Sequence, residues 1–267
     1  MKKYYYFFKL RFSTGIQYRM ASVTALTTQL IWGLMECLAY KAIAEASYGN
    51  MPMDYSSIVT YIWLKEAMLV LFNTWASDNE LFNMIINGDI AYELCRPLSL
   101  YSMWFSRISG ARISETLMRC IPVLLCAFLM PQAYRMTLPV NSVSFVLFLL
   151  TLFLGLGITV AFCMLVYILC FFTISPQGLR MVMTGAVDFL SGNIIPLPFF
   201  PQKYLFLLEL TPFAYMQNVP FRIYSGALSG SEMYMCILKQ IFWLSALTFI
   251  GITIWKQAEK RVVIQGG

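Results

Sequence analysis

The chain contains no histidine, and that absence alone removes several chemistries. Without imidazole there is no Ser/His or Cys/His nucleophilic pair, no HExxH zinc site and no histidine-held haem. Charge is scarce as well. Charged residues make up 12% of the 267 positions, hydrophobic residues reach 59%, and mean hydropathy is +0.67, a balance that a soluble core of this size does not need. Cys37, Cys95, Cys120, Cys126, Cys163, Cys170 and Cys236 form no CxxC pair, and all but Cys95 fall in apolar stretches. They read as small buried thiols rather than metal ligands or disulfides. No GxxxxGK[ST] phosphate loop occurs, and Gly155 and Gly157 sit inside an apolar run instead of following a strand. Catalysis by this chain alone is therefore not expected, nor is a bound metal or cofactor. If ATP is used, another subunit binds it.

What the chain has in abundance is long apolar sequence. Six stretches, roughly residues 20–42, 58–75, 113–130, 142–172, 177–195 and 234–255, approach or exceed the ~20 residues that a helix needs to cross ~30 Å of hydrocarbon. Lipid admits only helices or closed barrels, so the expected fold class is an all-α integral membrane protein with six transmembrane helices in one domain, residues 1–267.

The net charge of +6 does not mark a nucleic-acid binder, because the basic residues flank apolar segments instead of forming one patch. They read as topology signals. With the N-terminus inside, Lys2, Lys3, Lys9, Arg11, Arg19, Arg96, Arg107, Arg112, Arg180, Lys256, Lys260 and Arg261 are inner, whereas Lys41, Arg135, Lys203, Arg222 and Lys239 are outer. That asymmetry places both termini in the cytoplasm. The opening MKKYYYFFKLRFSTGIQYR alternates rings and cations. It suits either an in-plane interfacial helix over residues 1–19 or a set of flanking anchors. Lys9 and Arg11 interrupt its first apolar run and no small-residue cleavage site follows, so it is expected to be retained rather than removed as a signal.

Two polar interruptions differ in kind. Residues 76–112 form a cytoplasmic segment in which Asn79 or Asp78 can cap a helix carrying Leu81, Phe82, Ile85 and Ile86 on one face until Gly88. A second short helix from Asp89 to Cys95 ends before Pro97. Such a piece under a bundle can pass force from a cytoplasmic partner, or it can be a solvated connector. The outer segment, residues 192–232, holds Pro196, Pro198, Pro201, Pro212 and Pro220, yet Phe199, Phe200 and the run from Tyr204 to Leu208 are too apolar for an exposed loop. Short helices dipping into the outer leaflet fit both facts, with Gly192 bending the chain at their entrance.

Charges within the spans need partners or water, since an unpaired Arg, Lys or Asp at a helix centre costs ~2.5–3.5 kcal/mol on insertion scales. Counting ~1.5 Å per residue puts Glu66 and Arg119 at similar depth, so they are expected to face each other, with Glu115 one turn before Arg119. Glu36 and Lys65 differ by ~9 Å and pair only if the lysine stem stretches. Asp188 is the one aspartate in a span and precedes Ser191, Gly192 and Asn193, suggesting a polar stripe.

The order of the spans, the basic N-terminus, GDIAYELCRPLSLY, SGNIIPLPFFP, TPFAYMQNVPFRIYSG and the C-terminal RVVIQGG resemble the type-2 ATP-binding-cassette (ABC) exporter permeases, in particular the six-helix group with daunorubicin and viologen export permeases. The resemblance implies a half-transporter in the bacterial cell membrane. It would pair with an identical or related permease and with separate ABC ATPase subunits that carry ATP and Mg. Carried over by position, the coupling helix is Asn79 to Pro97, including Asp89, Glu93 and Arg96, and a re-entrant gate includes Gly192, Asn193, Pro196, Pro198, Pro201 and Pro212. A non-transporting membrane scaffold and an ion-gradient-driven carrier relaying protons through acidic residues are the alternative readings.

Overall fold

The computed structural model describes residues 2–17, 20–47, 51–75, 78–95, 98–173 and 175–261. Arg19, Arg96, Pro97, Ser77 and the motif over 262–267 lie outside these residues. All regular structure among the described residues is helical. The N-terminal helix α1 (Lys2–Gln17) precedes α2 (Met20–Ala46), and α3 (Tyr55–Ala67) is followed by the short α4 (Leu69–Phe72). Two small helices, α5 (Asn79–Asn87) and α6 (Ile90–Leu94), lead to α7 (Leu100–Leu129), a 30-residue helix that contains Pro122. Then come α8 (Ser142–Leu169), α9 (Pro176–Leu190), α10 (Gln202–Glu209), α11 (Asn218–Tyr224) and α12 (Ser231–Ala258). Two helical stretches among the described residues, Ser142–Phe172 and Ser231–Ala258, are long and apolar enough to cross a membrane.

The ends of these helices follow local chemistry. Asn141 accepts from the Ser144 amide at the start of α8, and Ser175 accepts from the Gly178 amide at the start of α9, where Pro176 takes the first helical position. Between α3 and α4 the backbone at Met68 departs from helix (φ −103°, ψ 13°), so the segment expected as one rod over 58–75 is two rods joined at a bend. The sequence reading began the third span at residue 113, but α7 begins at Leu100. Arg107 and Arg112 looked like connector charges, and both are instead buried on the inner face of a continuing helix. Gly110 lets α1 lie against α7, because a Cβ there would stand 2.8 Å from the Phe8 carbonyl oxygen.

The fifth span also differs from expectation, ending at Leu190 rather than 195. Its 15 residues rise only ~22 Å, short of the hydrocarbon thickness. The chain turns at Ser191 and at Gly192, whose φ of 84° favours glycine. The proline-rich segment then runs back along α8. Met216 packs its carbonyl where a Cβ on Gly155 would lie 2.0 Å away, and Phe213 stacks edge-on against Phe162 at 5.3 Å. Phe221, with no exposed surface, wedges between Tyr61 and Phe72. The segment is therefore packed deep against the middle of α8, not draped over its end.

That depth makes backbone satisfaction a requirement. Gln240 of α12, fully buried, donates to the Tyr215 carbonyl at 2.9 Å and to the Thr151 carbonyl of α8 at 3.1 Å. Gln217 donates to Ser191, the Tyr215 hydroxyl to the Glu209 carbonyl, and Ser57 of α3 to the Ser225 carbonyl. Replacing Gly155 by alanine should force α8 and the returning segment apart. We expect a stability loss of about 1–3 kcal/mol, read as a lower unfolding temperature in detergent, whereas Gly185→Ala, with open space around it, should be neutral or slightly stabilising.

Candidate functional site

A dense cluster of charged and polar side chains surrounds the first turn of α5. Asp78 caps the helix by accepting from the Glu80 and Leu81 amides at 3.1 and 3.2 Å, and Gly88 closes it in the left-handed conformation (φ 79°). Leu81, Phe82 and Ile85 are buried against the bundle, while Asn83, Ile86 and Asn87 face outward. Hence the amphipathic face anticipated from Leu81 to Ile86 forms, with Ile86 turned to its outer edge.

Arginines from three other helices converge on this turn. Arg107 of α7 grips Asp78 through Nε at 2.7 Å and through a terminal nitrogen at 3.2 Å, and also pairs with Glu80. Arg11 of α1 reaches the same Glu80 oxygen at 2.7 Å. From α9, Arg180 donates to the Asn79 side chain at 3.0 Å and to the Trp75 carbonyl at 3.1 Å, with its guanidinium 5.1 Å from the Phe82 ring. Below them Arg112 is buried and ties α7 to the end of α4, donating to the carbonyls of Val70, Leu71 and Asn73. The planar fork of arginine suits such multiple, angled contacts better than an ammonium does.

Of the other coupling candidates, Glu93 is half-buried and Asp89 is exposed in the joint between α5 and α6. The gate candidates sit at turns. Pro196 precedes a 3-10 turn over Leu197–Phe199 that contains Pro198, Pro201 precedes α10, and Pro212 opens the turn Pro212–Tyr215.

The charges inside the helical bundle are arranged differently from expectation. Lys65 pairs directly with Glu36 and lies 3.6 Å from Glu66, so its stem does bridge the axial offset between α2 and α3. Gln29 adds a bond to the Glu66 backbone carbonyl at 3.0 Å. The expected Glu66–Arg119 contact is not made, and Glu115 does not pair with Arg119 among the described residues. Arg119 lies at the edge of the buried face of α7, and Glu66 already has Lys65 beside it. The suggested stripe on α9 is only partly realised: Asn193 approaches Asp188 at 3.5 Å, while Ser191 is buried and bonded to Gln217.

Residues 20–266 match the profile of the ABC-2 family transporter proteins. The chain belongs to this ABC-2 transporter family. No match is found among curated proteins. ABC-2 membrane components serve transport and typically partner with ABC ATPases, and the apolar helices of this member suit a membrane location.

Within this ABC-2 protein, sequence reasoning proposed the α5 positions and missed most of their anchors: Arg11, Glu80, Arg107, Arg112 and Arg180. Sequence alone assigns Arg107, Arg112 and Arg180 only a topology role, and Arg11 that role together with a place among the cations of the N-terminal interfacial segment. The available signal was compositional, since the inner positions between the terminal segments carry arginine and no lysine, and arginine is the residue suited to fixed, multidentate contacts.

The clamp has a pH signature. Arg11, followed by the coulombic field of Arg107, holds the Glu80 carboxyl below its ordinary range. A group with a depressed folded-state pKa contributes stability above its unfolded value, ~4.3 for glutamate, and loses that contribution as pH falls through the folded value. The unfolding temperature of the wild type should therefore drop more steeply than that of Glu80→Gln below about pH 4.3. Parallel curves for the two proteins would show that the Arg11–Glu80–Arg107 contacts contribute no linked stability.

Proposed function

We propose that this chain is the permease subunit of an ATP-driven ABC exporter. In this reading six helical segments cross the cell membrane with both termini in the cytoplasm, the third through α7, the fourth through α8 and the sixth through α12. Two permeases, identical or related, enclose a path for an amphiphilic, lipid, peptide or drug-like substrate, and separate subunits hydrolyse ATP with Mg. The helix α5 acts as the coupling element, and the segment between Gly192 and Gly226 closes the path on the outer side.

The observation that carries this reading is the arginine clamp. A docking helix transmits work only if it is fastened to the parts that must move, and α5 is fastened to α1, α7 and α9 by charge-assisted bonds at a single turn. Such bonds are about twice as strong as neutral ones. Its outward residues Asn83, Ile86 and Asn87 are free to meet a cytoplasmic partner. A scaffold has no need of that connection, and a gradient-driven carrier has no need of an outward docking face.

Purification of the tagged chain from native membranes should bring down an ATPase with a phosphate-loop motif and vanadate-sensitive ATP hydrolysis. In that complex Ile86→Glu, which touches no core contact, should lower ATPase association or substrate-stimulated turnover by at least about tenfold, the scale of losing an interfacial anchor. A chain that is stable alone, with transport in vesicles unaffected by nucleotide, would overturn the assignment.

A further inference from the structure

Beside the clamp lies a cavity of about 380 Å³ between α1, α4, the start of α5 and α7. Its size falls in the range of small-molecule sites, ~300–1,000 Å³. Arg11, Asp78, Arg112 and Glu115 supply its charged lining, and Val70 and Ile108 are among its apolar walls. Two of these charges are already compensated: Arg11 by Glu80, and Asp78 by Arg107. Two are not. Arg112 is only 5% exposed, contacts carbonyls and the Cys163 thiol but no carboxylate, and has an Nε–H without any acceptor. Glu115 is half-buried and has no ion-pair partner among the described residues. A cation and an anion thus face one polar cavity three residues apart on one helix, a separation of about 5–6 Å between Cβ atoms.

The surroundings indicate what kind of molecule meets both charges. The helix α1 that walls the cavity exposes Tyr5, Tyr6 and Leu10 together with Lys3 and Lys9, the composition of a segment lying at headgroup depth. Arg119, one turn beyond Glu115, is half-buried and also lacks an ion pair among the described residues. An arginine in that position draws water or an anionic group toward itself.

We propose that this cavity binds the headgroup of a zwitterionic phospholipid of the phosphoethanolamine type, taken from the leaflet that borders α1. The phosphate meets the Arg112 side of the cavity, with Arg11 also in its lining, and the ammonium meets Glu115; Arg119, one turn beyond Glu115 and outside the lining, adds positive field along α7. The two-carbon linker between phosphate and ammonium matches the spacing of residues 112 and 115. A phosphoglycerol headgroup carries the same phosphate anion but offers Glu115 only neutral hydroxyls in place of an ammonium, so the site discriminates between the two lipids. This inference goes beyond the exporter reading and needs only that the chain sits in a bilayer.

The test is native mass spectrometry of the full-length protein released from nanodiscs containing equal amounts of dioleoyl phosphatidylethanolamine and dioleoyl phosphatidylglycerol. Wild type should retain the ethanolamine lipid preferentially. Glu115→Gln should shrink that preference by roughly twofold to fivefold, the scale of one partly exposed charge pair, and Arg119→Gln should weaken retention of both lipids. Neither side chain makes a hydrogen bond to the described protein, so both variants should elute as the wild type does in size exclusion. Equal retention of the two lipids by wild type, or a preference untouched by Glu115→Gln, overturns the proposal. Neither result depends on ATP hydrolysis, so the site can fail while the exporter assignment stands, and the reverse.

Discussion

A backbone carbonyl or amide removed from water and left without a partner costs several kcal/mol in hydrocarbon, and much of this protein is organised around that cost. The long helices satisfy themselves. Places where helix stops inside the bundle do not, and several are met by a side chain sent from elsewhere. Arg112 supplies donors to the carbonyls that end α4. Gln240 does so for the Tyr215 carbonyl in the returning segment, and Ser57 for Ser225. Irregular backbone is thereby confined to sites where α3, α7, α8 or α12 can reach it, and the fold is a helical bundle with its exceptions individually covered.

The same economy explains the central position of α8. It is buried along most of its second half, and it receives α12, α11, α7 and the short α4 and α9. Its glycine at 155 is the reason the returning segment can come so close, and its Thr151 carbonyl shares Gln240 with Tyr215. A bundle whose proline-rich segment is packed on the helix at its centre has few independent parts. Any displacement of that segment is displacement against α8.

Much of this was legible in the sequence and some of it was not, for physical reasons. Apolar runs, the Asp78 cap, Gly88 and Gly192 act locally, so the helical class, the α5 helix and the outer break could be read from neighbours along the chain. The start of α7 at Leu100 was obscured because Arg107 and Arg112 look like solvent-facing residues until their partners, 29 residues away at Asp78 and 39 away at Asn73, are known. The Glu66–Arg119 pairing failed for the related reason that depth along an axis says nothing about rotation around it. Lys65 is adjacent to Glu66 in sequence, and that proximity settled the partner. The arginine clamp draws residues 11, 107 and 180 to one turn, and no periodicity encodes such a convergence.

The bend at Met68 divides residues 55–72 into pieces with different allegiances. Before it, Trp63 donates to the Tyr134 carbonyl and Thr60 bonds Thr137, so α3 is held by the chain between α7 and α8. After it, α4 is bolted by Arg112 to α7 and, through Asp78 and Arg107, to α5. A single continuous rod would lock the partners of its two ends into one rigid unit. With a joint in the middle, the chain that holds Trp63 and the arginine that holds α4 are separate anchorages of one segment, and strain at either reaches the other only through the non-helical backbone at Met68.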